Sequence, residues 1–422
     1  MDINPNSARV KRVVILHGSN TYNYGSFMML ANFIYYVEQH DREANLEFLI
    51  HCNSEEDFVR LKSSLVGYSK LKALYVKPSA NRRSIVSVVT SLYNKYIYLT
   101  FKILMYKPTA VVVLGGDDLS EYYSKYNLAL ELFKLALLSR RTKVILVSQT
   151  IGPFSSWRVF LAGRILNKCH VFMRDPVSYR YTLDVLHLLH CELSADLALL
   201  DLPKQKEHIE KYKDFGLRKN EYVTVVISGL VDCYAQNYDV YVSSWAEIVL
   251  RMEELPSMKN KKIVLLAHVL KPDRCDDRKV IDSVYCALLD CSPGEKDRFV
   301  VITDALLPVE ARSILGNGFF TISGRMHGAI SSMQMGVPAI CLSYGVKYQG
   351  VIGESLGMHE LILEAGDKST WNSGQIGARL LEKIEYVIQQ KPALTKQMVN
   401  RVSDSKKQLN VQMRDMAILL KQ

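Results

Sequence analysis

Two series of short apolar runs, each followed by a turn and a helical pattern, constrain the fold of this chain more than any other feature. The first series lies before residue 201 and consists of VKRVVILHG, LEFLIHC, KALYVK, AVVVLGG, KVILVSQ and HVFMRD. The second starts at Tyr222 and consists of YVTVVIS, KKIVLLAHV, RFVVIT, FFTIS and PAICLSY. Strands that alternate with helices form parallel sheets with helices on both faces. We therefore predict an α/β protein with two Rossmann-like parallel-sheet domains that face a cleft.

The length of the chain agrees with this organisation, because 422 residues are too many for one ordinary core. We place the first domain at residues 1–203 and the second at 204–370. A polar, charged stretch near residues 201–221 separates the two series. The remaining residues, 371–422, are predicted to form a helical C-terminal tail.

The net charge of +10 is concentrated in one part of the first domain. No Asp or Glu occurs between Val59 and Gly116, where the basic residues are Arg60, Lys62, Lys70, Lys72, Lys77, Arg82, Arg83, Lys95, Lys102 and Lys107. Within this basic segment, residues 59–107, the apolar run from Ser84 to Tyr106 is interrupted by Lys95 and Lys102, which argues against a spanning helix. One interpretation is a basic amphipathic helix on an anionic membrane surface. The other is an ordinary helix packed on a sheet with its lysines in water.

The remaining bulk properties predict a cytoplasmic protein, peripheral to the inner face of the membrane where the first interpretation holds. No run of about 18 uninterrupted apolar residues occurs, and the first residues lack the apolar core of a signal peptide. The eight cysteines are scattered without a CxxC pair, so we expect free thiols and no metal site. The basic segment has no nucleic-acid-binding motif, so no nucleic-acid partner is predicted.

Ligands of parallel sheets bind beyond the carboxyl ends of the strands, so the loops after the strands are the places to seek chemistry. The loop after the first strand is polar and contains His17, Gly18, Asn20, Asn23, Tyr24 and Gly25. After AVVVL, Gly115 and Gly116 precede two aspartates. Asp117 can accept a proton from a hydroxyl or bind a sugar, or cap the next helix; for Asp118 the capping role is favoured.

Two further loops carry charged residues. Arg174 and Asp175 follow the strand HVFM, with Pro176 at a position suited to the start of a helix. Arg174 can meet an anion there, or it can form a structural ion pair. In the second domain His268 follows a strand and precedes Asp273, Asp276 and Asp277, for which loop capping is favoured over metal binding.

The segment GRMHG connects the strand FFTIS to a helical pattern. Arg325 and His327 would then lie at a helix N-terminus, where backbone amides and the helix dipole favour negative charge. Arg325 offers a planar fork for a carboxylate or phosphate, and His327 can donate a proton near neutral pH. The pair is typical of a site for an acidic, phosphorylated small molecule.

Taken together, these segments resemble the polysaccharide pyruvyl transferase family. The resemblance is carried by an ordered set that spans most of the chain, namely NTYNYG, GGDDL, SQTIGP, MRDPVSYRYTL, ADLALL, His268 and GRMHGAISSMQMGVPAICLSYGVKYQG. Met326 stands where the family usually has leucine. Ser26 stands where an acidic residue often follows the glycine, so an acceptor preference does not carry over.

The resemblance implies a GT-B-like fold, phosphoenolpyruvate as donor, and a sugar acceptor, expected to be a lipid-linked oligosaccharide of a surface polysaccharide, on which a ketal forms. It implies a first domain that binds the acceptor, a second that binds the donor, and neither cofactor nor metal. The implied catalytic residues are His327 and Asp117. The implied donor-binding residues are Arg174, Arg325, Gly328, His268 and Lys347. The implied acceptor-binding residues are Asn20, Asn23, Tyr24, Gly116, Asp118 and Gln149.

Two alternatives stay open at this point. The first is a GT-B glycosyltransferase that uses a sugar nucleotide in surface glycan synthesis, in which Glu354 or Glu360 would hold the ribose of the donor. The second is a non-enzymatic basic module that binds nucleic acid or an anionic membrane through residues 59–107. The acceptor sugar, the hydroxyls that are bridged and the stereochemistry of the ketal do not follow from the sequence.

Overall fold

Two compact units make up the protein, and the chain passes between them more than once. The structure, a computed structural model, describes residues 10–40, 46–65, 67–68, 70–75, 85–121 and 125–422. The first unit consists of the residues through Thr21, Met29–Leu197 and Lys407–Gln422, and the second of Tyr22–Met28 and Ala198–Lys406. The predicted boundary at residue 203 lies close to the change of unit at Leu197. Two short segments group differently from the predicted ranges: Tyr22–Met28 with the second unit, and the end of the tail with the first.

A parallel sheet forms the centre of the first unit. Its strands are β1 (Lys11–Leu16), β2 (Leu46–Cys52), β3 (Leu71–Tyr75), β4 (Ala110–Leu114), β5 (Lys143–Gln149), β6 (His170–Met173) and β7 (Cys191–Leu193). They are ordered β3-β2-β1-β4-β5-β6-β7, and every pairing is parallel. β4 is completely buried, as expected of a continuous apolar run covered on both faces.

The helices of the first unit follow its strands. They are α1 (Tyr24–His40), α2 (Glu55–Ser64), α3 (Ile85–Leu92), α4 (Leu99–Met105), α5 (Lys125–Leu138), α6 (Trp157–Leu166) and α7 (Pro176–Asp184). A π-helical segment, Tyr93–Tyr98, joins α3 to α4. The strand order reverses direction between β3 and β4, so right-handed crossovers place the later helices on the opposite face from α1 and α2.

The second unit repeats this plan with six strands. They are β8 (Tyr222–Val226), β9 (Lys262–Leu266), β10 (Phe299–Ile302), β11 (Thr321–Ser323), β12 (Ala339–Ser343) and β13 (Ile362–Glu364), in the parallel order β10-β9-β8-β11-β12-β13. The helices are α8 (Tyr238–Glu253), α9 (Asp277–Cys291), α10 (Pro308–Leu315), α11 (Met326–Gln334), α12 (Lys368–Asn372) and α13 (Gln375–Leu419). The strand order is the doubly wound order of dinucleotide-binding domains.

Every strand predicted from the sequence is present in the structure. The two strands that were not predicted, β7 and β13, have three residues each and lie at the edges of their sheets. Such short strands carry no periodicity that a sequence pattern can detect. The polar stretch after residue 201 forms turns and a short 3₁₀ helix, Lys211–Phe215.

The basic segment is helical over its apolar part, from α3 through the π-helical segment to α4. Lys77, Arg82 and Arg83 of this segment lie outside the described residues. Among the helices that the structure describes, none combines the length and apolar character needed to cross a membrane. The eight cysteines are all present as free thiols.

Candidate functional site

The carboxyl ends of β8 and β11 mark the point where the strand order of the second sheet reverses. β8 is paired with β9 on one side and with β11 on the other. In open α/β sheets, ligands bind outside the carboxyl ends of the strands at such a reversal. The residues at these ends are Gly229 after β8, His268 after β9, and Gly324 and Arg325 after β11.

Asp277, the first residue of α9, is completely buried and connects these strand ends. Its Oδ1 accepts a hydrogen bond from the backbone N–H of Gly229 at 2.7 Å. Its Oδ2 accepts from the backbone N–H groups of His268 at 3.0 Å and Val269 at 2.8 Å. Oδ1 also accepts from Nη2 of Arg325 at 2.6 Å and from its Nε at 3.1 Å. One carboxylate therefore fixes the ends of β8, β9 and β11 relative to one another.

Arg325 is the N-cap residue of α11, and its side chain is largely buried. Nη2 also donates to the carbonyl oxygen of Cys275 at 2.7 Å. Burial by itself lowers the pKa of Arg325, but the carboxylate of Asp277 outweighs burial and raises that pKa above its usual value. Among the described residues no acceptor lies within hydrogen-bonding distance of Nη1. The guanidinium is thus permanently charged, held in place, and able to meet an anion through Nη1.

The turn before Arg325 is held by groups from distant parts of the chain. The carbonyl oxygen of Gly324 accepts hydrogen bonds from the hydroxyl of Tyr234 at 2.7 Å and from that of Tyr348 at 3.2 Å. The hydroxyl of Ser323 accepts from the N–H of Arg325 at 3.2 Å and donates to its carbonyl oxygen at 2.7 Å. These contacts fix the direction in which the chain enters α11. The two tyrosines gave no signal in the sequence, because they are 90 and 24 residues away from Gly324.

His327 lies in the first turn of α11, where the sequence predicts it, and its ring packs against the backbone of Gly25. A Cβ atom at residue 25 would lie 2.4 Å from Nδ1 of His327 and 2.5 Å from its Cγ. Only glycine leaves room for the ring in this position. The glycine of NTYNYG and the histidine of GRMHG, about 300 residues apart in the chain, therefore belong to one site in the second unit.

His268 is 1% exposed, and neither of its ring nitrogens has a hydrogen-bond partner among the described residues. Burial, followed by the charges of His327, Arg325 and Arg312, lowers the pKa of His268 well below its usual value. The ring is therefore neutral near pH 7, with one nitrogen that donates and one that accepts. Buried polar atoms are normally satisfied, so a site with this composition is typical of one that receives a polar ligand.

Two of the predicted acceptor-binding residues, Asn23 and Tyr24, belong to the second unit and form part of its framework. Oδ1 of Asn23 accepts from the N–H groups of Gly25 at 3.1 Å and Ser26 at 3.4 Å at the start of α1. The Tyr24 hydroxyl donates to the carbonyl oxygen of Asp304 at 3.1 Å and accepts from the N–H of Leu306 at 2.9 Å.

Two predicted donor-binding residues complete the surroundings of this site. Lys347, in the loop after β12, donates from Nζ to the hydroxyl of Tyr344 at 2.9 Å and lies over its ring. Gly328 lies in α11, where a Cβ atom would be 2.7 Å from Oγ of Ser323 and 3.6 Å from the ring of His268. The absence of a side chain at 328 allows α11 and His268 to approach closely.

The reversal point of the first sheet, at the ends of β1 and β4, carries a different cluster. Nδ1 of His17 lies 3.3 Å from Oδ2 of Asp118, and Nε2 lies 3.0 Å from Oε1 of Glu131. Glu131 in turn pairs with Lys134, and both are buried. Burial by itself lowers the pKa of His17, but Glu131 and Asp118 raise it to about 9. The ring is therefore an imidazolium near neutral pH.

Asp118 belongs to this cluster and does not have the helix-capping role expected from the sequence. The interpretation of Asp118 as an N-cap is wrong, because the three residues after it, 119–121, are not helical and its carboxylate pairs with His17 instead. The hydroxyl of Ser120 donates to the carbonyl oxygen of Asp117 at 2.6 Å. Gly116 and Asp117 are half-buried in the same loop, and Asn20 is half-buried in the loop after β1.

Two other predicted residues of the first unit are deeply buried. Gln149 donates from Nε2 to the carbonyl oxygen of Val113 at 2.9 Å. Arg174 is 1% exposed, and its Nη1 lies 3.0 Å from Oδ2 of Asp196, while Nε donates to Oγ1 of Thr150 at 2.8 Å. This geometry matches the structural ion pair that the sequence left open for Arg174, with Asp196 as the partner. As predicted, Pro176 is the first residue of α7. Asp175, considered from the sequence for an ion pair, caps that helix through the N–H of Ser178.

Among the residues that the structure describes, no group of three or more His, Cys, Asp or Glu side chains is placed to hold a metal ion. Asp276 caps α9 through the N–H of Arg278 at 3.0 Å, as expected for the aspartates after His268.

A sequence profile of the family described as polysaccharide pyruvyl transferase matches residues 23–346, more than half of the chain. The chain belongs to the polysaccharide pyruvyl transferase family. The matched residues run from the start of α1, through the whole first sheet after β1, to the loop after β12 that precedes Lys347. The family named from the sequence motifs is thus confirmed.

A curated relative is the amylovoran biosynthesis protein AmsJ of Erwinia amylovora, which is 33% identical over 99 residues. That match spans only 23% of this chain and 23% of the relative. This polysaccharide pyruvyl transferase family member therefore shares a segment, rather than its whole length, with that protein.

Solved structures support the fold of this family member. A putative UDP-N-acetylglucosamine 2-epimerase from Listeria monocytogenes aligns with a TM-score of 0.59 at 11% identity, over 93% of this chain and 91% of that one. A UDP-GlcNAc 2-epimerase from Neisseria meningitidis aligns with a TM-score of 0.54 at 13% identity, over 94% and 99%. Identities this low show the fold alone. The predicted fold class, two Rossmann-like parallel-sheet units of the GT-B-like kind, is confirmed.

Sequence reasoning placed His327, Arg325, Gly328 and His268 together in the second unit of this family member, and the structure brings them to one sheet edge. It missed the role of Asp277, which it treated as one of three capping aspartates. It also missed Glu131 and Lys134, which lie in the interior of α5 and have no motif around them. A charged pair inside an otherwise apolar helix, KYNLALELFKLALL, is the signal that points to them.

Proposed function

We propose that this protein transfers the pyruvyl group of phosphoenolpyruvate to two hydroxyls of a sugar, forming a ketal on a surface polysaccharide or its lipid-linked precursor. The donor binds at the edge of the second sheet, near Arg325, His327 and His268. Membership of the polysaccharide pyruvyl transferase family supports the reaction class, and the relative named for amylovoran biosynthesis supports a polysaccharide as the acceptor.

The observation that carries this proposal is the state of His268. A fully buried imidazole is costly when neither nitrogen has a partner within the described part of the chain, since each unsatisfied polar atom costs about 1–3 kcal/mol. It lies close enough to His327 and Arg325 for their charges to lower its pKa. A ligand with several oxygen atoms that entered here would satisfy it.

The charges around the site favour an anionic ligand. Nη1 of Arg325 attracts negative charge, and so does the N-terminus of α11. The positive charges of Lys347 and Arg325 both oppose the rise in the pKa of Cys233 that burial causes, so both cations act at the same place. Phosphoenolpyruvate carries a carboxylate and a phosphate, which match a guanidinium and a helix N-terminus. Arg174, also predicted from the sequence as a donor ligand, pairs with Asp196 in the first unit.

The reaction begins with proton transfer from the imidazolium of His327 to the methylene carbon of the donor. The methylene becomes a methyl group, and the adjacent carbon becomes an oxocarbenium centre. A sugar hydroxyl attacks this centre and releases its proton. Phosphate then leaves with the bridging oxygen and takes up the proton that this first hydroxyl released. The second hydroxyl closes the ketal, and its proton restores the protonated state of His327. Arg325 and the amides of α11 stabilise the negative charge of the phosphate as it departs.

The proposal is tested with phosphoenolpyruvate and a panel of nitrophenyl glycosides and lipid-linked sugars, by measuring phosphate release and the mass of the product. Substituting His327→Gln should leave phosphoenolpyruvate binding within a few-fold of wild type while turnover falls by 10²–10⁴-fold, the usual contribution of a general acid. Equal loss of binding and turnover would mean that His327 only binds. Consumption of a sugar nucleotide, with no phosphate released from phosphoenolpyruvate by any acceptor, would favour the glycosyltransferase alternative.

A further inference from the structure

One face of the first unit presents apolar side chains to solvent across three neighbouring helical segments. α5 packs against α4 and the π-helical segment, and also against α6. These segments all follow β3 in the chain, so right-handed crossovers place them on the same face of the sheet. Nearly half of the large hydrophobic side chains that are exposed in the described residues lie on them and on α3. We call this surface the α3–α6 face.

The longest part of this face is a ridge along α3, the π-helical segment and α4. Exposed apolar residues follow one another at intervals of four: Val89, Tyr93, Ile97, Phe101 and Met105. The opposite side of the same helix is buried through Tyr96, Leu99 and Ile103. Apolar side chains therefore lie on both the buried and the exposed sides of this helix, although Lys95 and Lys102 interrupt the run. Apolar residues on both sides are typical of a helix that is covered on both sides. Phe101, in the middle of this ridge, is 62% exposed.

The two neighbouring helices continue this pattern. On α5, Tyr126 and Phe133 are exposed seven residues apart, and Leu137 lies half-buried one turn further on. On α6, Trp157 and Phe160 are three residues apart and are 58% and 71% exposed. Residues at these spacings lie on one side of a helix. Aromatic side chains of this kind, and tryptophan and tyrosine above all, favour the boundary between water and lipid.

The exposed charged residues on the helices of this face are basic. Glu131 is the only acidic residue in the sequences of α3, the π-helical segment, α4, α5 and α6, and it is buried in its ion pair with Lys134. The exposed charges at the helix ends are basic: Lys107 after α4, Arg140 after α5 and Lys168 after α6. Helices that follow parallel strands in this way run in the same direction, so these three ends lie at one edge of the sheet. An apolar face with a basic rim is complementary to an anionic lipid surface.

We infer that the α3–α6 face docks on an anionic lipid bilayer, with its aromatic and aliphatic ridge at the depth of the headgroups and its basic rim against the lipid phosphates. The charge argues against a second copy of the chain on the same face, because a symmetric contact would bring like charges together. This inference does not depend on the proposed reaction, since it rests on the surface of the first unit alone.

The test uses the full chain and vesicles of phosphatidylcholine, either pure or with about a third phosphatidylglycerol. Co-sedimentation is expected with the anionic vesicles and not with the neutral ones. The double variant Phe101→Ser with Phe160→Ser should weaken binding at least about tenfold. The matched control is Val399→Ser with Val411→Ser, two exposed valines on α13, which should bind as wild type does.

Tryptophan fluorescence shows which face enters the lipid. The chain has three tryptophans, of which Trp245 and Trp371 are buried and Trp157 is exposed on α6. Addition of anionic vesicles should shift the emission to shorter wavelength, and lipids brominated along the acyl chain should quench it. Trp157→Phe should abolish this change while binding is retained.

Three outcomes would overturn the inference. One is equal binding to neutral and anionic vesicles, and another is binding that the Phe101 and Phe160 substitutions do not weaken. The third is a dimer in the absence of lipid that these substitutions convert to a monomer, which would assign the face to a second copy. None of these measurements requires substrate, so they are independent of a failure to observe pyruvyl transfer.

Discussion

Asp277 and Arg325, 48 residues apart in the chain, form a buried ion pair with a shortest N–O distance of 2.6 Å at the reversal point of the second sheet. The same carboxylate accepts backbone hydrogen bonds from the loops after β8 and β9. The side chain of Arg325, the residue before α11, is therefore held by a carboxylate that also binds the two neighbouring strand ends.

Replacing Asp277 by asparagine should destabilise the protein by about 3–5 kcal/mol, because the buried charge of Arg325 loses its partner. An amide also points one NH₂ group at backbone N–H donors, which leaves further buried polar atoms unsatisfied. The free energy of unfolding in urea measures the loss. Asp273→Asn is the matched control, since Asp273 is exposed and pairs with the exposed Lys279, and it should change stability by under about 0.5 kcal/mol. Similar values for both variants would contradict the role given to Asp277.

Replacing His268 by phenylalanine should keep the stability of the protein within about 1 kcal/mol of wild type, because no described residue forms a hydrogen bond with either ring nitrogen. Binding of phosphoenolpyruvate, measured by calorimetry, should nevertheless weaken at least about tenfold, because the ligand loses a buried hydrogen-bonding partner. His268→Ala removes the ring from a packed core and should cost about 2–4 kcal/mol of stability. A phenylalanine variant that binds the donor normally would show that His268 only fills space.

Substituting Gly25→Ala should displace the ring of His327, since the new Cβ would lie 2.4 Å from Nδ1. A displacement of this size in a catalytic group can cost about 100-fold in turnover. We expect kcat to fall by that order while the fold is retained, as judged by circular dichroism. Gly294→Ala is the control, because a Cβ at that position meets nothing within 4 Å. An unchanged kcat in the Gly25 variant would show that catalysis does not need the ring of His327 in the place where the structure has it.

The His17 cluster makes a prediction about pH. The pKa of His17 is higher in the folded protein, at about 9, than its ordinary value of 6.5, so the protonated ring adds stability. This contribution is complete below about pH 6.5 and is lost as the pH rises through about 9. At most it amounts to about 3 kcal/mol, given 1.36 kcal/mol for each unit of pKa.

The comparison of wild type with His17→Gln in urea at several pH values measures this contribution. The difference in stability between the two proteins should shrink as the pH rises from 6.5 to 9.5. His40→Gln, at an exposed position in the same unit, should show no such trend. A difference between wild type and His17→Gln that stays constant across this range would mean that the ring is not held in its charged form.

The sequence determined the elements of both units and the segments that carry the site. Strand runs such as Ala110–Leu114 are apolar throughout because both of their faces are covered, and this pattern is visible without any structure. The motif GRMHG placed Arg325 and His327 at the junction of a strand and a helix, because a glycine and a change of periodicity mark such a junction.

The tertiary structure alone decided which charges meet. Gly25 touches His327, Asp277 holds Arg325, and Glu131 holds His17, across separations of 48 to about 300 residues. Local sequence patterns cannot specify such pairs. Which residues meet depends on the order of the strands in the sheet and on where that order reverses. The same holds for the α3–α6 face. The sequence shows the composition of these helices, but only their packing shows which side of each helix is buried and which side is exposed to water.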